Sequence, residues 1–365
     1  MGLKMTEISG YLFKDLYITF KIFGTPADYD LAVALLLPTT LEPTPELTIK
    51  CLNNGKLAGR IVAPNESRWH AILSTILPDP FVLVQAVLTD FSAFKRNEEG
   101  ELLTPDDLIF QIVTANGEPL AKDMEFTWYG KRTLPVPSRD NIIRVAGDVG
   151  VDGFLFGGAT WHARLESLVR RHMGRELNQL RILDWGVGCG RIARHLLERG
   201  HQQLFGADID QLNIDWLRQN LGWRDAVRVD FDPPMPYPDQ FFDVVYGHSV
   251  FTHLGLADHT KWISEIKRIL RPGGLALLTI ASDAGAYITR KHDFTNIRTM
   301  LVADGFADAE NQSYIGVDEG RDGYYRLVFQ SRDFIKNVWG NIFEILSILP
   351  CNMEHQDLVV IRRPE

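Results

Sequence analysis

The residues of this chain best suited to chemistry lie in ILDWGVGCGRIARHL, residues 182–196, where an apolar pair runs into Asp184, three alternate glycines follow, and helical patterning begins at Arg191. Gly186, Gly188 and Gly190 lack a Cβ, so the chain can turn sharply there and bring its backbone close to a ligand. Between a strand and a helix, such a loop is a nucleotide site. The spacing discriminates between nucleotides: a dinucleotide fingerprint, G-x-G-x-x-G, needs its last glycine at position 191, and Arg191 stands there. Leu204–Asp208 then reads as a short strand ending in a second acid about 20 residues past the loop, where a carboxylate can accept both hydroxyls of a ribose. Asp210, two residues on, suits the N-cap of a helix starting at Leu212. FFDVVYGHSVFTHL, residues 241–254, gives a buried strand that runs into a loop bearing His248, Ser249 and His253.

The string D-x-G-x-G-x-G, with the features that follow it in order, resembles the class I S-adenosylmethionine-dependent methyltransferases. S-adenosylmethionine has no pyrophosphate but carries an ammonium and a sulfonium, which a carboxylate such as Asp184 favours. The resemblance implies a cofactor site made by Asp184, Trp185, Gly186, Gly188, Cys189, Gly190, Asp208, Ile209, Asp230, Phe231, His248 and Ser249, with Asp208 on the ribose. Asp230 and Phe231, closing the strand Val227–Phe231, match the residues that meet the adenine amino group and ring; a turn acid ahead of Asp232-Pro233-Pro234 is the other reading of Asp230. That Asp-Pro-Pro is not the D-P-P-Y element of amino-methylating enzymes, because it precedes the fourth strand and Met235 takes the aromatic place. EIKRILRPGGLALLTI, residues 265–280, adds an amphipathic helix, a Pro-Gly-Gly turn and a fifth strand. His253 falls where relatives often carry an acid-histidine pair and is the candidate general base, although Thr252 replaces the acid; a structural hydrogen bond is the competing reading. His162 and His292 are outlying alternatives.

What the resemblance implies is an α/β fold: a Rossmann-like seven-stranded sheet with helices on both faces, and methyl transfer to a small-molecule or sugar acceptor, at oxygen. The sugar rests on similarity of YYRLVFQSRDFIKNVWGNIFEILSILP, residues 324–350, to methyltransferases of polysaccharide and natural-product pathways. A non-catalytic cofactor-binding scaffold and a nicotinamide oxidoreductase are the alternatives. Residues 283–330 interrupt the pattern after the fifth strand. They hold Tyr287, His292, Phe294, Phe306, Tyr314, Tyr324, Tyr325 and Phe329, and are expected to form an insertion at the ligand edge: a substrate lid or simply a packed subdomain. A helix near 332–339 and strands near 343–349 and 358–362 complete the fold.

At 365 residues the chain is long for one core. A formal charge of −9 opposes binding to a phosphate backbone, so nucleic acid is not an expected partner. Cys51, Cys189 and Cys351 are far apart and lack metal-type spacing, so reduced thiols and no metal are expected. No signal sequence or membrane-length apolar run is read, which makes a cytoplasmic, membrane-free protein the expectation. Before residue 130, alternation at Ile18–Ile22 and Leu47–Cys51 and the runs Phe81–Leu88 and Leu108–Val113 predict strands of a small antiparallel β-sandwich-like domain over 1–134. Trp69, Phe91, Phe94 and Trp128 could stack on a carbohydrate or fill its core. Pro135 and Pro137 stiffen the junction, and 135–365 forms the second domain. Within it, residues 141–173 are expected to be helical and to cover the cofactor, with Gly153, Gly157 and Gly158 as a possible hinge.

Overall fold

In the computed structural model, the described residues are 134–147, 150–283, 285–286, 294–309, 324–353 and 356–365, together with strands between residues 18 and 128. The chain divides into two compact units, Met1–Thr133 with Val149–Leu168, and Leu134–Asp148 with Val169–Glu365.

In the first unit, β1 (Ile18–Thr25), β2 (Asp28–Pro38) and β5 (Phe81–Leu88) form one antiparallel sheet, in the order β1-β2-β5. A second, ordered β4-β3-β8-β9, uses β3 (Thr48–Cys51), β4 (Leu57–Arg60), β8 (Leu108–Val113) and β9 (Phe126–Trp128). β6 (Lys95–Arg96) pairs with β7 (Leu102–Leu103). The four runs read from sequence are all strands. Trp69, Phe91 and Phe94 lie outside the described residues.

The second unit opens with an extended stretch at 135–138, from which Ser138 caps helix α1 (Arg139–Ala146) by accepting from the Asn141 amide. Helix α2 (Gly150–Met173), assigned to the first unit as far as Leu168 and to the second from Val169, runs unbroken through Gly153, Gly157 and Gly158, so the expected hinge between two helices is a continuous helix instead. The sheet is built from β10 (Ile182–Trp185), β11 (Leu204–Asp208), β12 (Ala226–Arg228), β13 (Phe242–Gly247), β14 (Leu270–Ile280), β17 (Glu344–Met353) and β18 (Gln356–Arg362). Its order is β12-β11-β10-β13-β14-β18-β17, parallel from β12 to β14, with β18 alone reversed and antiparallel to both β14 and β17. Strand order reverses direction between β10 and β13, and ligands bind outside the carboxyl ends of strands at such a point.

The connecting helices are α3 (Ala193–Glu198), α4 (Gln211–Asn220) and α5 (Leu256–Ile269). Near-continuous apolar runs such as Phe242–Gly247, buried along their whole length, are what a parallel sheet covered on both faces requires. Pro272-Gly273-Gly274 does not separate helix from strand as the sequence suggests. β14 begins at Leu270, and the register jumps from Phe242↔Leu270 to Val244↔Leu275, so the three residues form a bulge within the strand.

In the insertion, helix α6 (Phe294–Asp304) leads to β15 (Phe306–Ala309), which pairs antiparallel with β16 (Leu327–Gln330). Phe306 and Phe329 are buried packing residues, Phe329 beside Ala281, Ile297 and Leu301. Tyr287, His292 and Tyr314 lie outside the described residues. Helix α7 (Arg332–Val338) precedes the closing β17–β18 pair. No helix among the described residues is long and apolar enough to cross a membrane.

Candidate functional site

The loop after β10 is pinned to the neighbouring strand: the Gly186 and Val187 amides both donate to the Ala207 carbonyl, at 2.8 and 3.1 Å. Gly186, Gly188 and Gly190 all have positive φ, +76°, +52° and +81°, which L-residues adopt at a cost. Their missing Cβ atoms also leave room for neighbours. A Cβ at 188 would stand 2.7 Å from Val145 of α1, one at 190 would stand 2.9 Å from Leu217 of α4, and one at 186 would collide with Val250. The close approach these glycines permit is therefore to protein side chains, where the sequence suggested a ligand.

Helix α1 is fastened over this loop. Arg144 reaches the Asp210 carboxylate with Nη2 at 2.6 Å and Nε at 3.0 Å, while the Cys189 thiol faces the Asn141 carbonyl at 3.6 Å. Asp210 is the N-cap of α4 as expected, accepting from the Leu212 amide. Cys189 is a buried free thiol, pushed up to about 12 by burial.

Asp184 and Asp208 share a face of the sheet. Asp184 is in register with Gly206 on β11 and with Tyr246 on β13, and Asp208 is two residues beyond Gly206, so the period-two alternation aims both carboxyls the same way. Asp208 accepts from the Gly188 amide at 2.6 Å and the Asp210 amide at 2.8 Å. Burial raises it to about 6 against those N–H groups, which favour its charge. Asp184 is more deeply enclosed. Burial raises it to about 8, the Tyr246 hydroxyl beside it favours its charge, and the nearby Asp208 disfavours it.

Five of the other expected residues take varied places. The Trp185 indole points into the core, 5.2 Å from both Phe251 and Trp262, leaving its main chain at the loop. Asp230 stands in solvent, 83% exposed, with Arg228 at 3.6 Å. β12 ends at Arg228, earlier than the sequence suggests. Phe231 is half-buried, edge-on to Tyr324 at 4.7 Å, and Ile209 packs on the main core. His248 is half-buried just past β13.

Ser249 has a positive φ of +63°. Its amide donates to Thr279 Oγ1 at 2.7 Å, its hydroxyl accepts from Gln356 Nε2 at 2.8 Å, and its carbonyl accepts from Thr252 Oγ1 at 2.9 Å. Thr252, standing where an acid was expected, therefore ties down the loop that presents His253.

His253 has an orienting partner that residue types do not reveal. Its Nδ1 lies 2.8 Å from the Arg326 carbonyl oxygen, and its ring stacks on Tyr325 with centroids 4.1 Å apart and planes at 23°. A carbonyl can only accept, so Nδ1 carries the proton and the Nε2 lone pair is left to act as a base. Burial pushes the imidazole down to about 4, partly offset by that carbonyl, so the ring is neutral at ordinary pH. Tyr325 also lies within the fields of Asp208 and Asp210, which with burial raise its phenol. His162 lies in the first unit and His292 outside the described residues. Sequence reasoning missed Tyr246, which is marked only by its register, and gave Tyr325 no role.

Residues 183–278 match the methyltransferase domain family. With this match, the switch-point glycine loop and the paired acids, the chain carries a class I S-adenosylmethionine-dependent methyltransferase domain. It is 26% identical over 184 residues to a glycine/sarcosine/dimethylglycine N-methyltransferase of Actinopolyspora halophila, covering 46% of this chain and 30% of that one. It is 34% identical over 102 residues to a demethylmenaquinone methyltransferase of Deinococcus radiodurans, covering 27% of this chain and 42% of that one. The matches thus span less than half the length of either curated relative. Among solved structures, a methyltransferase from Methanosarcina mazei is similar at 16% identity and a TM-score of 0.39, covering 54% of this chain and 97% of that one.

Proposed function

We propose that this chain transfers a methyl group from S-adenosylmethionine, by in-line displacement, to an oxygen of a small-molecule or sugar acceptor. The cofactor supplies a methyl already activated by its sulfonium leaving group, so the protein's task is alignment, exclusion of water and proton removal. The site residues fit that cofactor. A carboxylate offers about four lone-pair directions; Asp208 accepts from the Gly188 and Asp210 amides, with the Ile209 amide also favouring its charge, and its remaining acceptor capacity suits a ribose hydroxyl. Asp184, once ionised, faces the ammonium. Phe231 with Asp230 flanks the adenine, and the main chain of Trp185, Gly186, Gly188, Cys189 and Gly190, with Ile209, His248 and Ser249, frames the remainder.

The observation that carries the oxygen acceptor is the hold of the Arg326 carbonyl on His253 Nδ1 at 2.8 Å, which leaves Nε2 as the basic nitrogen. An acceptor hydroxyl becomes acidic as its oxygen bonds to carbon, and Nε2 can take that proton. The relatives are named for glycine and demethylmenaquinone, unlike acceptors, so the acceptor is argued from this histidine alone. The negative charge supports an acceptor other than nucleic acid.

Calorimetry with S-adenosylmethionine, S-adenosylhomocysteine and NAD tests the cofactor, and binding of NAD alone overturns it. A labelled-methyl screen over sugars, phenols and amines tests the acceptor. Products methylated at nitrogen or carbon overturn the oxygen assignment, and cofactor binding with no transfer on the panel overturns turnover in favour of a scaffold.

A further inference from the structure

We infer that Tyr325 and Arg326 are positioning residues: the segment Tyr324–Arg326, held by the insertion's own sheet, sets the tautomer of His253, so that the base is presented only while this segment is seated. The contact is reciprocal. The Arg326 amide donates to the His253 carbonyl at 3.0 Å, and the Arg326 carbonyl receives the His253 ring at 2.8 Å. Such a clasp fixes the imidazole relative to the main chain that carries it, and Tyr325 closes one face of the ring.

Three anchors hold the clasp. Tyr324 is buried, and its hydroxyl accepts from Trp262 Nε1 at 3.1 Å. Arg326 Nε meets both oxygens of Asp308 on β15 at 2.7 Å. The Arg326 stem lies so near Gly255, ahead of α5, that a Cβ there would stand 3.2 Å from its Cδ. Leu327, the next residue, begins β16, which pairs with β15. The seat is therefore built by the insertion, and the tautomer of a residue 73 positions earlier depends on it. If Nε2 carried the proton, the Nδ1 lone pair would face the carbonyl oxygen, so unseating the carbonyl removes the preference.

This inference rests on the reading of His253 as the base, yet its test needs no turnover. The 365-residue chain, 15N-labelled on its histidine rings, is examined by NMR with S-adenosylhomocysteine as the probe, the His253 signals being assigned by their loss in His253→Gln. The wild type is expected to show His253 as the Nδ1–H form. In Arg326→Gln, Asp308→Asn and Tyr325→Ala that excess falls about tenfold, the worth of one neutral hydrogen bond. Tyr325→Phe, which keeps the ring, restores it. The Arg326–Asp308 pair is partly exposed, at 27% and 32%, so its loss leaves the fold intact. An Nε2–H form in the wild type, or an unchanged tautomer in all three variants, overturns the inference. Failure of S-adenosylhomocysteine to bind while the tautomers behave as stated overturns the cofactor reading and leaves the clasp standing.

Discussion

Asp184 should couple cofactor binding to the release of a proton. Burial holds its carboxyl at about 8, so at pH 7 roughly nine molecules in ten carry it protonated. A ligand ammonium seated against it needs the ionised form, and each pH unit below 8 then costs about 1.4 kcal/mol, or tenfold in affinity. Between pH 6.5 and 7.5 the wild-type affinity for S-adenosylhomocysteine should rise toward tenfold and level off above 8. Asp208, at about 6, and His253, at about 4, titrate below that window. Asp184→Asn carries any ionisation of the ligand itself, so the difference between the two proteins isolates the carboxyl. Calorimetry in buffers of different ionisation enthalpy should detect close to one proton released per cofactor bound at pH 7 in the wild type and none attributable to the site in the variant. Identical pH slopes for the two proteins would refute the placement of Asp184 against the ammonium.

Four further outcomes follow from the same geometry. Asp208→Ala should weaken S-adenosylhomocysteine binding by about 1.5–3 kcal/mol in calorimetry, the range for hydrogen bonds to a charged group. His253→Ala should lower turnover roughly 100-fold on the acceptor found by the labelled-methyl screen, with cofactor affinity unchanged, and with cofactor kept saturating the wild-type rate should fall as pH drops through about 4, where the base protonates. Stability should decline between pH 6.5 and 8 by about 2 kcal/mol, because over that range the folded Asp184 binds a proton that the unfolded chain does not; the depressed histidines His253 and His259 act in the opposite sense only below about 6.5, and Asp184→Asn should flatten the denaturant-melt profile. Gly188→Ala should cost about 1–2 kcal/mol from its positive φ alone, and more from the crowding of Val145, read as a lower melting temperature.

The parallel part of the sheet was legible because each strand carries a local signature: Leu204–Asp208 matches its predicted bounds, and Asp210 caps the helix it was expected to cap. Boundaries slipped where tertiary pairing overrides local pattern. Pro272-Gly273-Gly274 looks like a turn in one dimension, yet becomes a bulge because Phe242 pairs with Leu270 ahead of it. The glycines of α2 suggest a hinge by type, but the helix absorbs them. The acids and glycines of the candidate site stand out by residue type, the acids through their carboxylates and the glycines through the Cβ they lack. The partner of His253 was not, since it is a main-chain carbonyl, and every residue type has one. Tyr246 was hidden for a related reason: only the pairing of β10 with β13 brings it level with Asp184.

The indole of Trp262 supplies the molecule with an optical gauge. It lies against Trp185 and gives its N–H to Tyr324, the first residue of the segment that seats His253. Withdrawal of that tyrosine would leave a buried indole donor wet or orphaned, and its emission would shift to the red. Tryptophan fluorescence should thus report whether Tyr324 is seated, without a label and without knowledge of the acceptor.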